Sequence, residues 1–480
     1  MAKQPMLKFV SVDRDMPTKR APDLRNKDFD EIYAEYASDK AKEQSSRCSQ
    51  CGVPYCQSHC PLHNNIPDWL RLTAEGRLEE AYEVSQATNT FPEICGRICP
   101  QDRLCEGNCV IESSGHGTVT IGSVEKYITD TAWENGWVKT IKPSSERTES
   151  VGIIGAGPGG LAAADVLRRQ GVQVTIYDRY DRAGGLLMYG IPGFKLEKDV
   201  VMRRNDQLAE GGVTFKLNCN VGEDISFADI QAAHDAVIIA TGVYKTRDLQ
   251  GPGATATGIE RAIDYLTASN RKSFGDAVPE FDDGQLDANG KKVVVIGGGD
   301  TAMDCVRTAI RQGATSVKCL YRRDRANMPG SQRETQNAEE EGVIFEWLSA
   351  PKGFTETDGK VSGVMVQKMR LGAPDATGRQ APEVIEGADY VEEADIVIKA
   401  LGFEPEDLPK LWGVDGLEVT RWGTVKTEFT SGKTDLPGVY AVGDIVRGAS
   451  LVVWAIKDGR DCAEAILNDF NANASAVAAE

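Results

Sequence analysis

The most distinctive residues of this chain are eight of its 12 cysteines, which lie close together between residues 48 and 109. The first four follow the spacing Cys-x2-Cys-x4-Cys-x3-Cys-Pro, and the second four follow Cys-x3-Cys-Pro-x4-Cys-x3-Cys. Zinc sites usually take two compact pairs of thiolates, whereas short-interval runs that end in Cys-Pro are typical of ligands to a 4Fe-4S cube. The spacing therefore predicts two iron–sulfur clusters. Structural zinc sites and reduced core thiols are the alternatives, and neither uses all of these intervals.

The cysteines divide between two clusters if the chain crosses as it does in two-cluster ferredoxins, where the fourth cysteine of each run serves the other cluster. This crossing assigns to cluster one Cys48, Cys51, Cys56 and Cys109, and to cluster two Cys60, Cys99 and Cys105. Cluster two then lacks one ligand. Cys95 is a candidate, although a lone cysteine is often just a small buried hydrophobe. Apolar residues at helical intervals between the two runs predict small helices that form the scaffold.

A nucleotide-binding signature occupies residues 151–178. In VGIIGAGPGGLAAADVLRRQGVQVTIYD an apolar strand leads into the G-x-G-x-x-G turn of Gly155, Gly157 and Gly160, then a helix and a second strand that reaches Asp178. Such a turn brings backbone N–H groups and a helix N-terminus onto a pyrophosphate, and the acid accepts hydrogen bonds from a ribose hydroxyl. Strand, turn, helix, strand and acid in one unit predict a Rossmann-like dinucleotide-binding domain.

The same pattern returns in KKVVVIGGGDTAMDCVRTAIRQGATSVKCLYRRD with two changes. Ala302 takes the place of the third glycine after Gly297 and Gly299, and the second strand leads to Arg322 and Arg323 instead of an acid. An acid would repel a 2′-phosphate, whereas two guanidinium groups can bind it. This half is therefore predicted to select NADP(H) over NAD(H). The alternative is that both arginines are solvated surface residues.

Two different nucleotide folds in one chain suggest that one holds a flavin and the other a pyridine nucleotide. The stretches AVIIATG, ending at Gly242, and DIVIKALG, ending at Gly402, look like buried strands on either side of the second signature. The pyridine nucleotide domain is therefore predicted to be inserted into the flavin domain. The late stretch GVYAVGDIVRGASLVVWAI resembles the FAD-holding segment of flavoprotein reductases, with Asp444 on the ribitol or pyrophosphate and the next helix directed at the isoalloxazine.

The composition excludes several other classes of protein. Lys and Arg total 54 against 72 Asp and Glu, and the net charge of −18 argues against a nucleic-acid or anionic-membrane surface. Residues 1–20 lack the apolar core of a signal peptide, and no run approaches the roughly 18 apolar residues of a membrane-spanning helix. We therefore expect a cytoplasmic protein, where clustered cysteines bind metal or do redox chemistry rather than form disulfides.

These motifs resemble one family over essentially the whole length, the small (β) subunit of bacterial NADPH-dependent glutamate synthase. The resemblance rests on RCSQCGVPYC, NNIPDWL, FPEICGRICPQDRLCEGNC, GGLLMYGIPGFKLEK, GGGDTAMDCVRTAIRQGA, YRRDRANMPGSQRE, VIKALGFEPEDLP and VGDIVRGASLVVWAI. The N-terminal part of dihydropyrimidine dehydrogenase is similar too, and in that wider family a side-chain oxygen completes one cluster. This ligand falls at Glu125, which the resemblance favours over Cys95 as the fourth ligand of cluster two.

The resemblance implies FAD, NADPH and two 4Fe-4S clusters, and it completes their expected sites. FAD is expected at Gly155, Ala156, Gly157, Pro158, Gly160, Asp178, Gly185, Leu186, Gly242, Gly443, Asp444 and Val453. NADPH is expected at Gly297, Gly299, Asp300, Thr301, Ala302, Arg322 and Arg323. No catalytic acid or base is expected, because the bound cofactors carry the hydride chemistry.

The activity that the resemblance implies is an electron relay within a hetero-oligomer. NADPH would reduce FAD, and the clusters would pass single electrons to FMN on a large (α) subunit, where 2-oxoglutarate and glutamine become L-glutamate. The chain begins Met1-Ala2 rather than with a cysteine nucleophile, so glutamine hydrolysis is expected on the partner. Two alternatives remain: a related reductase that serves another acceptor, such as ferredoxin or a pyrimidine-reducing partner, and a non-enzymatic iron–sulfur scaffold or redox sensor.

The expected fold is α/β, with two nested Rossmann-like domains for FAD and NADPH preceded by a mainly helical iron–sulfur domain. The expected boundaries are 1–145 for the iron–sulfur domain, 146–287 for the first part of the FAD domain, 288–390 for the inserted NADPH domain, and 391–480 for the second part of the FAD domain with a C-terminal tail. Four further cysteines, Cys219, Cys305, Cys319 and Cys462, are expected to be packing residues.

Overall fold

The N-terminal part of the chain is helical in the computed structural model, which describes residues 6–376 and 378–477. The helices are α1 (Pro22–Arg25), α2 (Ser38–Ser45), α3 (Tyr55–Ser58), α4 (Ile66–Ala74), α5 (Leu78–Thr88), α6 (Pro92–Ile98), α7 (Val110–Ser113) and α8 (Ile121–Glu134), with 3-10 turns at Lys8–Val10 and Gln101–Arg103. They are short, and they share a core that buries Trp69, Phe91 and Ile128. Packing of these apolar residues therefore supplies the stability that such short helices lack alone.

Strands and longer helices alternate in the rest of the chain, as a doubly wound fold requires. The helices are α9 (Pro158–Arg169), α10 (Leu186–Tyr189), α11 (Lys198–Glu210), α12 (Phe227–Ala233), α13 (Ala262–Ser273), α14 (Pro279–Asp282), α15 (Asp300–Arg311), α16 (Gln332–Glu340), α17 (Leu408–Trp412), α18 (Asp444–Arg447) and α19 (Val452–Val477). The strands are β1 (Ser150–Ile154), β2 (Gln173–Tyr177), β3 (Thr214–Lys216), β4 (Ala236–Ile239), β5 (Lys245–Thr246), β6 (Ile259–Arg261), β7 (Lys292–Ile296), β8 (Ser316–Tyr321), β9 (Ile344–Trp347), β10 (Ser349–Thr357), β11 (Lys360–Pro374), β12 (Gln380–Val384), β13 (Tyr390–Glu393), β14 (Ile396–Lys399), β15 (Phe403–Glu404) and β16 (Val439–Ala441). Among the described helices, none is long and apolar enough to cross a membrane.

Two parallel sheets of the same design form the nucleotide-binding part. The first has the strand order β16-β4-β1-β2-β3, and the second has the order β6-β14-β7-β8-β9. In both, a glycine-rich turn follows the central strand, β1 or β7, and leads into a helix that packs on the sheet. The inner strands β1, β4, β7 and β14 are apolar and almost fully buried, as parallel sheets covered on both faces require, whereas the edge strands β3, β6 and β9 are more exposed. The predicted fold class is confirmed.

The two sheets are connected by smaller elements. Strands β5 and β15 pair as a two-stranded antiparallel ribbon where the chain passes from the first sheet to the second and back. A separate antiparallel sheet of β10, β11, β12 and β13 lies in the chain between β9 and β14 of the second sheet and was not anticipated. The chain therefore leaves the first sheet after β4, builds the second, and returns to finish the first with β16.

The second sheet extends beyond the predicted limits of 288–390. Strand β6 precedes those limits and β14 follows them, and β14 pairs in parallel with both β6 and β7. The stretch DIVIKALG was assigned to the returning FAD domain, and this is corrected: its apolar residues are buried beside β7, as those of β4 are beside β1. Most of the predicted C-terminal tail is the end of α19, and residues 478–480, like 1–5, lie outside the described residues.

Buried ion pairs join the three parts of the molecule. Glu93 of α6 accepts two hydrogen bonds from Arg204 of α11, at 2.7 and 2.8 Å, and both side chains are almost fully buried. Glu341 binds Arg307 and Arg311 of α15 and also Arg25 of the N-terminal part, at 2.8 Å. These pairs fix the iron–sulfur helices against both nucleotide-binding sheets.

The pair between Glu93 and Arg204 gives a stability prediction. Glu93→Ala leaves the Arg204 guanidinium buried and uncompensated, so the free energy of unfolding should fall by about 3–5 kcal/mol. The matched control is Glu418→Ala, which removes an exposed, solvent-screened pair with Lys426 and should leave the free energy of unfolding nearly unchanged. Chemical denaturation of the two variants measures both values, and equal losses would contradict the buried role of Glu93.

Candidate cofactor sites

One group of thiols contains Cys48, Cys51, Cys56 and Cys109. The first two lie in the loop after α2, Cys56 lies in α3, and Cys109 directly precedes α7. Burial, followed by the charges of Cys48, Cys109 and Cys51, raises the pKa of the Cys56 thiol to about 12. Thiols whose ionisation is opposed by burial, as at Cys48 and Cys56, form a donor set that becomes favourable once iron replaces their protons. The four cysteines of this group are the residues predicted for cluster one.

A second group contains Cys60, Cys99 and Cys105 with Cys95 and Glu125. A hydrogen bond with Cys95 is the largest cause that raises the pKa of Cys99 well above its usual value, ahead of burial and of the charges of Glu125 and Cys105. Burial raises the pKa of Cys105 in the same direction, and the nearby Cys60 and Glu125 add to it. These influences are compatible with the grouping that the chain crossing predicts, and the assignment of each thiol to a cluster stays a prediction.

Glu125 and Cys95 both belong to the second group. Glu125 lies on α8 with 6% of its surface exposed, and the side-chain amides of Asn64 and Asn89 donate to its Oε1 at 3.4 and 3.3 Å. Burial raises the pKa of this carboxyl group to about 8. Since both candidate ligands lie beside Cys99, the choice of Glu125 as the fourth ligand of cluster two stays a prediction.

A deep cleft lies at the carboxyl ends of β1, β4 and β16, where ligands bind in open α/β sheets. It encloses about 1440 Å³ out to its open mouth. Nine of the predicted FAD residues line it: Gly155, Gly157, Pro158, Asp178, Gly185, Leu186, Gly242, Gly443 and Asp444. Gly155 has a φ of +113°, and a Cβ there would lie 2.3 Å from the carbonyl oxygen of Ala240, whereas nothing lies within 4 Å of a Cβ on Gly157. The turn therefore leaves its backbone open toward the cleft.

Two predicted FAD residues support this turn without lining the cleft. Ala156 is fully buried, and its N–H donates to Asp178 Oδ2 at 2.6 Å. The other oxygen of Asp178 accepts from the N–H of Tyr180 at 2.8 Å. A Cβ on Gly160 would lie 2.1 Å from the carbonyl oxygen of Gly155, so this glycine permits α9 to pack closely on β1. Asp178 therefore fixes the turn as well as facing the cleft.

Val453 is buried and does not line the cleft. Its neighbours Val452 and Ala455 on α19 line the cleft. Residues three apart share one face of a helix, and Val453 is rotated away from that face into the core. A contact between Val453 and FAD therefore stays a prediction.

Other lining residues were not among the predicted ones. Thr241 lies directly before Gly242, and its buried hydroxyl has no hydrogen-bond partner among the described residues. Arg179 donates to Glu406 at 3.0 and 3.1 Å and lies over the ring of Tyr244 at 4.7 Å. The position of Arg179 directly after Asp178 could have indicated that it lines the cleft. Its partner Glu406 is too distant in sequence to be inferred.

The second glycine-rich turn repeats the geometry of the first. Gly297 has a φ of +150°, and a Cβ there would lie 2.3 Å from the carbonyl oxygen of Ala400. Nothing lies within 4 Å of a Cβ on Gly299. Ala302, in the place of the third glycine, is fully buried where α15 packs on the sheet. This turn, too, leaves its backbone and the N-terminus of α15 open to a pyrophosphate.

The remaining predicted NADPH residues lie at the edges of this turn. Asp300 and Thr301 begin α15, and Asp300 Oδ1 accepts from the N–H of Ser331 at 2.9 Å. Arg322 and Arg323 follow β8 directly, with Arg322 exposed and Arg323 half-buried. Within the described part of the chain, neither guanidinium forms an ion pair. Two unneutralised cations at the end of the second strand fit a 2′-phosphate.

Two family models match this chain. Residues 25–137 match dihydropyrimidine dehydrogenase domain II, 4Fe-4S cluster, and residues 149–459 match pyridine nucleotide-disulphide oxidoreductase. The fold and the sites therefore define an iron–sulfur oxidoreductase of the pyridine nucleotide class.

Similar proteins narrow this class further. The glutamate synthase (NADPH) small chain of Azospirillum brasilense is 64% identical over 100% of both chains. The putative oxidoreductase AegA of Escherichia coli is 45% identical over 95% of this chain and 69% of its own. The structure of Mycobacterium tuberculosis FprA in complex with NADPH shares the fold, with a TM-score of 0.57 at 22% identity over 69% of this chain and 86% of its own. The chain belongs to the family of NADPH glutamate synthase small chains.

The donor sets fit the cofactors of an NADPH-dependent oxidoreductase with FAD and 4Fe-4S clusters. Two dinucleotides fit these sites, because the backbone at Gly157 and at Gly299 has open space in front of it. The buried Thr241 hydroxyl, which has no partner among the described residues, is available to the nucleotide in the first cleft. All 12 cysteines are free thiols. Among the described residues, no three Cys, His, Asp or Glu side chains converge on a position for a single metal ion. This is expected of residues that ligate different irons of one cube.

Gly157 and Gly299, which have open space in front of them, give a prediction in which each substitution affects only one cofactor. Gly157→Ala should weaken FAD binding at least about tenfold, because the methyl group occupies the space where the backbone approaches the pyrophosphate. Gly299→Ala should weaken NADPH binding to a similar extent and leave the FAD content unchanged. Flavin absorbance per chain and NADPH titration measure both effects. Loss of FAD from the Gly299 variant, with FAD retained by the Gly157 variant, would reverse the assignment of the two sheets.

Proposed function

We propose that this chain is the electron-input subunit of glutamate synthase. It oxidises NADPH and delivers electrons to the FMN of a large (α) subunit, which makes L-glutamate from 2-oxoglutarate and glutamine. When bound, FAD accepts hydride and releases single electrons that 4Fe-4S clusters carry. The observation that carries the proposal is the position of the two thiol groups. One group is attached to the flavin domain, and the other lies beside exposed apolar side chains.

The second thiol group is tied to the flavin domain through α6. This helix carries Cys95 and ends directly before Cys99, and its Glu93 is held by Arg204 of α11. The charge of Cys56, from the first group, also contributes to the raised pKa of Cys105, so the two groups are neighbours. These contacts support a path that runs from the flavin cleft through the second group to the first.

The segment that follows the flavin cleft contacts helices of the second nucleotide-binding sheet. The segment that follows the cleft residue Gly185 is held by Asn270 of α13, whose side-chain amide donates to the carbonyl oxygen of Tyr189 at 2.9 Å. Further along, Lys195 Nζ donates to Asp304 of α15 at 2.8 Å. Because both contacts are part of the folded chain, they support a fixed approach of the nicotinamide to the flavin, as hydride transfer requires.

The first thiol group is bordered by exposed apolar side chains. Val53 and Tyr55, between two of its cysteines, are 66% and 52% exposed, and Val110, next to Cys109, is 42% exposed. Exposed apolar side chains that cluster at one site often mark an interface with another protein. Their position beside cluster one supports this surface as the exit of electrons to the large subunit.

A second candidate function is an NADPH-dependent reductase that serves a different acceptor, such as ferredoxin or a pyrimidine-reducing partner. The 45% identity with the putative oxidoreductase AegA of Escherichia coli favours this function, because a similar chain also occurs in a protein that is not named a glutamate synthase. Mixing the purified chain with the large glutamate synthase subunit, or with ferredoxin, separates the two functions. NADPH-dependent formation of glutamate only with the large subunit supports the proposal, and reduction of ferredoxin without glutamate formation would replace it.

Arg322 and Arg323 give a prediction about cofactor choice. Replacing both by alanine removes charge-assisted hydrogen bonds to a 2′-phosphate, so kcat/KM for NADPH should fall at least about tenfold while that for NADH stays unchanged. Dye reduction with each nucleotide measures the ratio. Arg325→Ala is the matched control, because Arg325 lies in the same loop but pairs with Glu339 at 2.8 Å. An unchanged preference for NADPH in the double variant would contradict the assignment.

Val53 gives a prediction about binding of the large subunit. Val53→Asp should weaken binding of the large subunit at least about tenfold, because a charge would be desolvated in the apolar centre of the interface. NADPH-dependent dye reduction by the isolated chain should stay unchanged. Val391→Asp, at a site 55% exposed on the antiparallel sheet, is the control and should not affect binding. Equal affinities of the two variants, measured by titration calorimetry, would argue against this surface.

A further inference from the structure

The backbone at Gln50 has an unusual conformation inside the first thiol group. This residue lies between Cys48 and Cys51 and has a φ of +51°, in the left-handed region that residues with a Cβ seldom adopt. Strained backbone of this kind persists where surrounding interactions maintain it, and it is concentrated at functional sites. The contacts of Gln50 show what the conformation achieves.

Two donors of Gln50 converge on one sulfur atom. Its backbone N–H lies 3.5 Å from Cys48 Sγ, and its side-chain Nε2 lies 3.3 Å from the same atom. The side-chain amide is held in place by a second hydrogen bond, to the carbonyl oxygen of Pro67 in α4 at 2.7 Å. The left-handed backbone turns both donors toward Cys48, a residue that is itself buried. The strained backbone conformation of Gln50 therefore accompanies two specific N–H···S contacts with Cys48.

Hydrogen bonds to the sulfur ligands, cluster charge and solvent exposure set the potential of an iron–sulfur cluster. Reduction adds one electron, donated by the reduced flavin, and makes the cluster one unit more negative without making or breaking a bond. N–H donors stabilise the more negative state. We propose that Gln50 is a positioning residue that raises the reduction potential of the cluster bound by Cys48, and so favours electron flow toward the protein surface. This inference rests on the proposed cluster ligands.

The test is a redox titration of the purified full chain, followed by electron paramagnetic resonance. Gln50→Leu removes the side-chain donor, and Gln50→Gly removes it while also relieving the positive φ. At a fixed solution potential, the ratio of reduced to oxidised cluster one should fall about twofold to tenfold in both variants, the effect of one lost hydrogen bond. Cluster two and the flavin should keep their potentials.

Two further variants make the result specific. Gln57→Leu is the matched control, because the side-chain amide of Gln57 lies in the same segment but donates to the carbonyl oxygen of His63 and to Asn65 Oδ1 rather than to a sulfur atom. It should leave the ratio unchanged. Cys48→Ser identifies the signal of cluster one by altering it.

An unchanged ratio in both Gln50 variants would overturn the proposal, even if iron retention or the unfolding temperature fell, since those changes report only a structural role. An equal shift in the Gln57 variant would overturn it as well. If Cys48→Ser leaves both cluster signals intact, the ligand assignment itself is wrong. Because no partner subunit is present in these measurements, a failure of the glutamate synthase assignment would not alter them.

Discussion

Burial of closely spaced thiols, which opposes their ionisation, is the constraint on which the N-terminal part of this protein depends. A hydrogen bond with Cys95, followed by burial, raises the pKa of Cys99 well above its usual value, and burial does the same for Cys105, so both residues hold protons unless iron replaces them. Iron binding exchanges those protons for metal–sulfur bonds, which couples the folding of this region to loading with metal. Of the short helices, α3 carries a predicted ligand and α7 directly follows one, and both have few residues of their own to stabilise them. Their stability is therefore linked to the clusters.

An electron relay also requires that its sites stay at fixed separations, and buried ion pairs provide this rigidity. Glu341 accepts from Arg307, Arg311 and Arg25. Burial alone would raise the pKa of this carboxyl group, but the hydrogen bonds from Arg307 and Arg311 lower it to about 2. A buried charge without these partners would cost several kcal/mol, so the N-terminal part is held against the second sheet, while the Glu93–Arg204 pair holds it against the first.

Local sequence patterns predicted much of this architecture. The glycine turns at Gly155 and Gly297 have positive φ values that only glycine adopts easily, and strand and helix periodicity around them follows from the same local physics. The partition of the thiols between two clusters stays a prediction from their spacing. The membership of β6 and β14 in the second sheet did not follow from local patterns, because parallel pairing joins segments more than a hundred residues apart in the chain. The neighbours of the cofactor cleft, such as Glu406 opposite Arg179, depend on the same long-range packing.

The most direct test of the relay is an anaerobic titration of the purified chain with NADPH, with NADH in parallel. Flavin bleaching, iron content and dye reduction are followed together. The account predicts one bound FAD that NADPH bleaches far more effectively than NADH, and about eight irons per chain, as two cubes require. Absence of bound flavin, or a preference for NADH, would contradict the assignment of Arg322 and Arg323 and the entry of electrons through this chain.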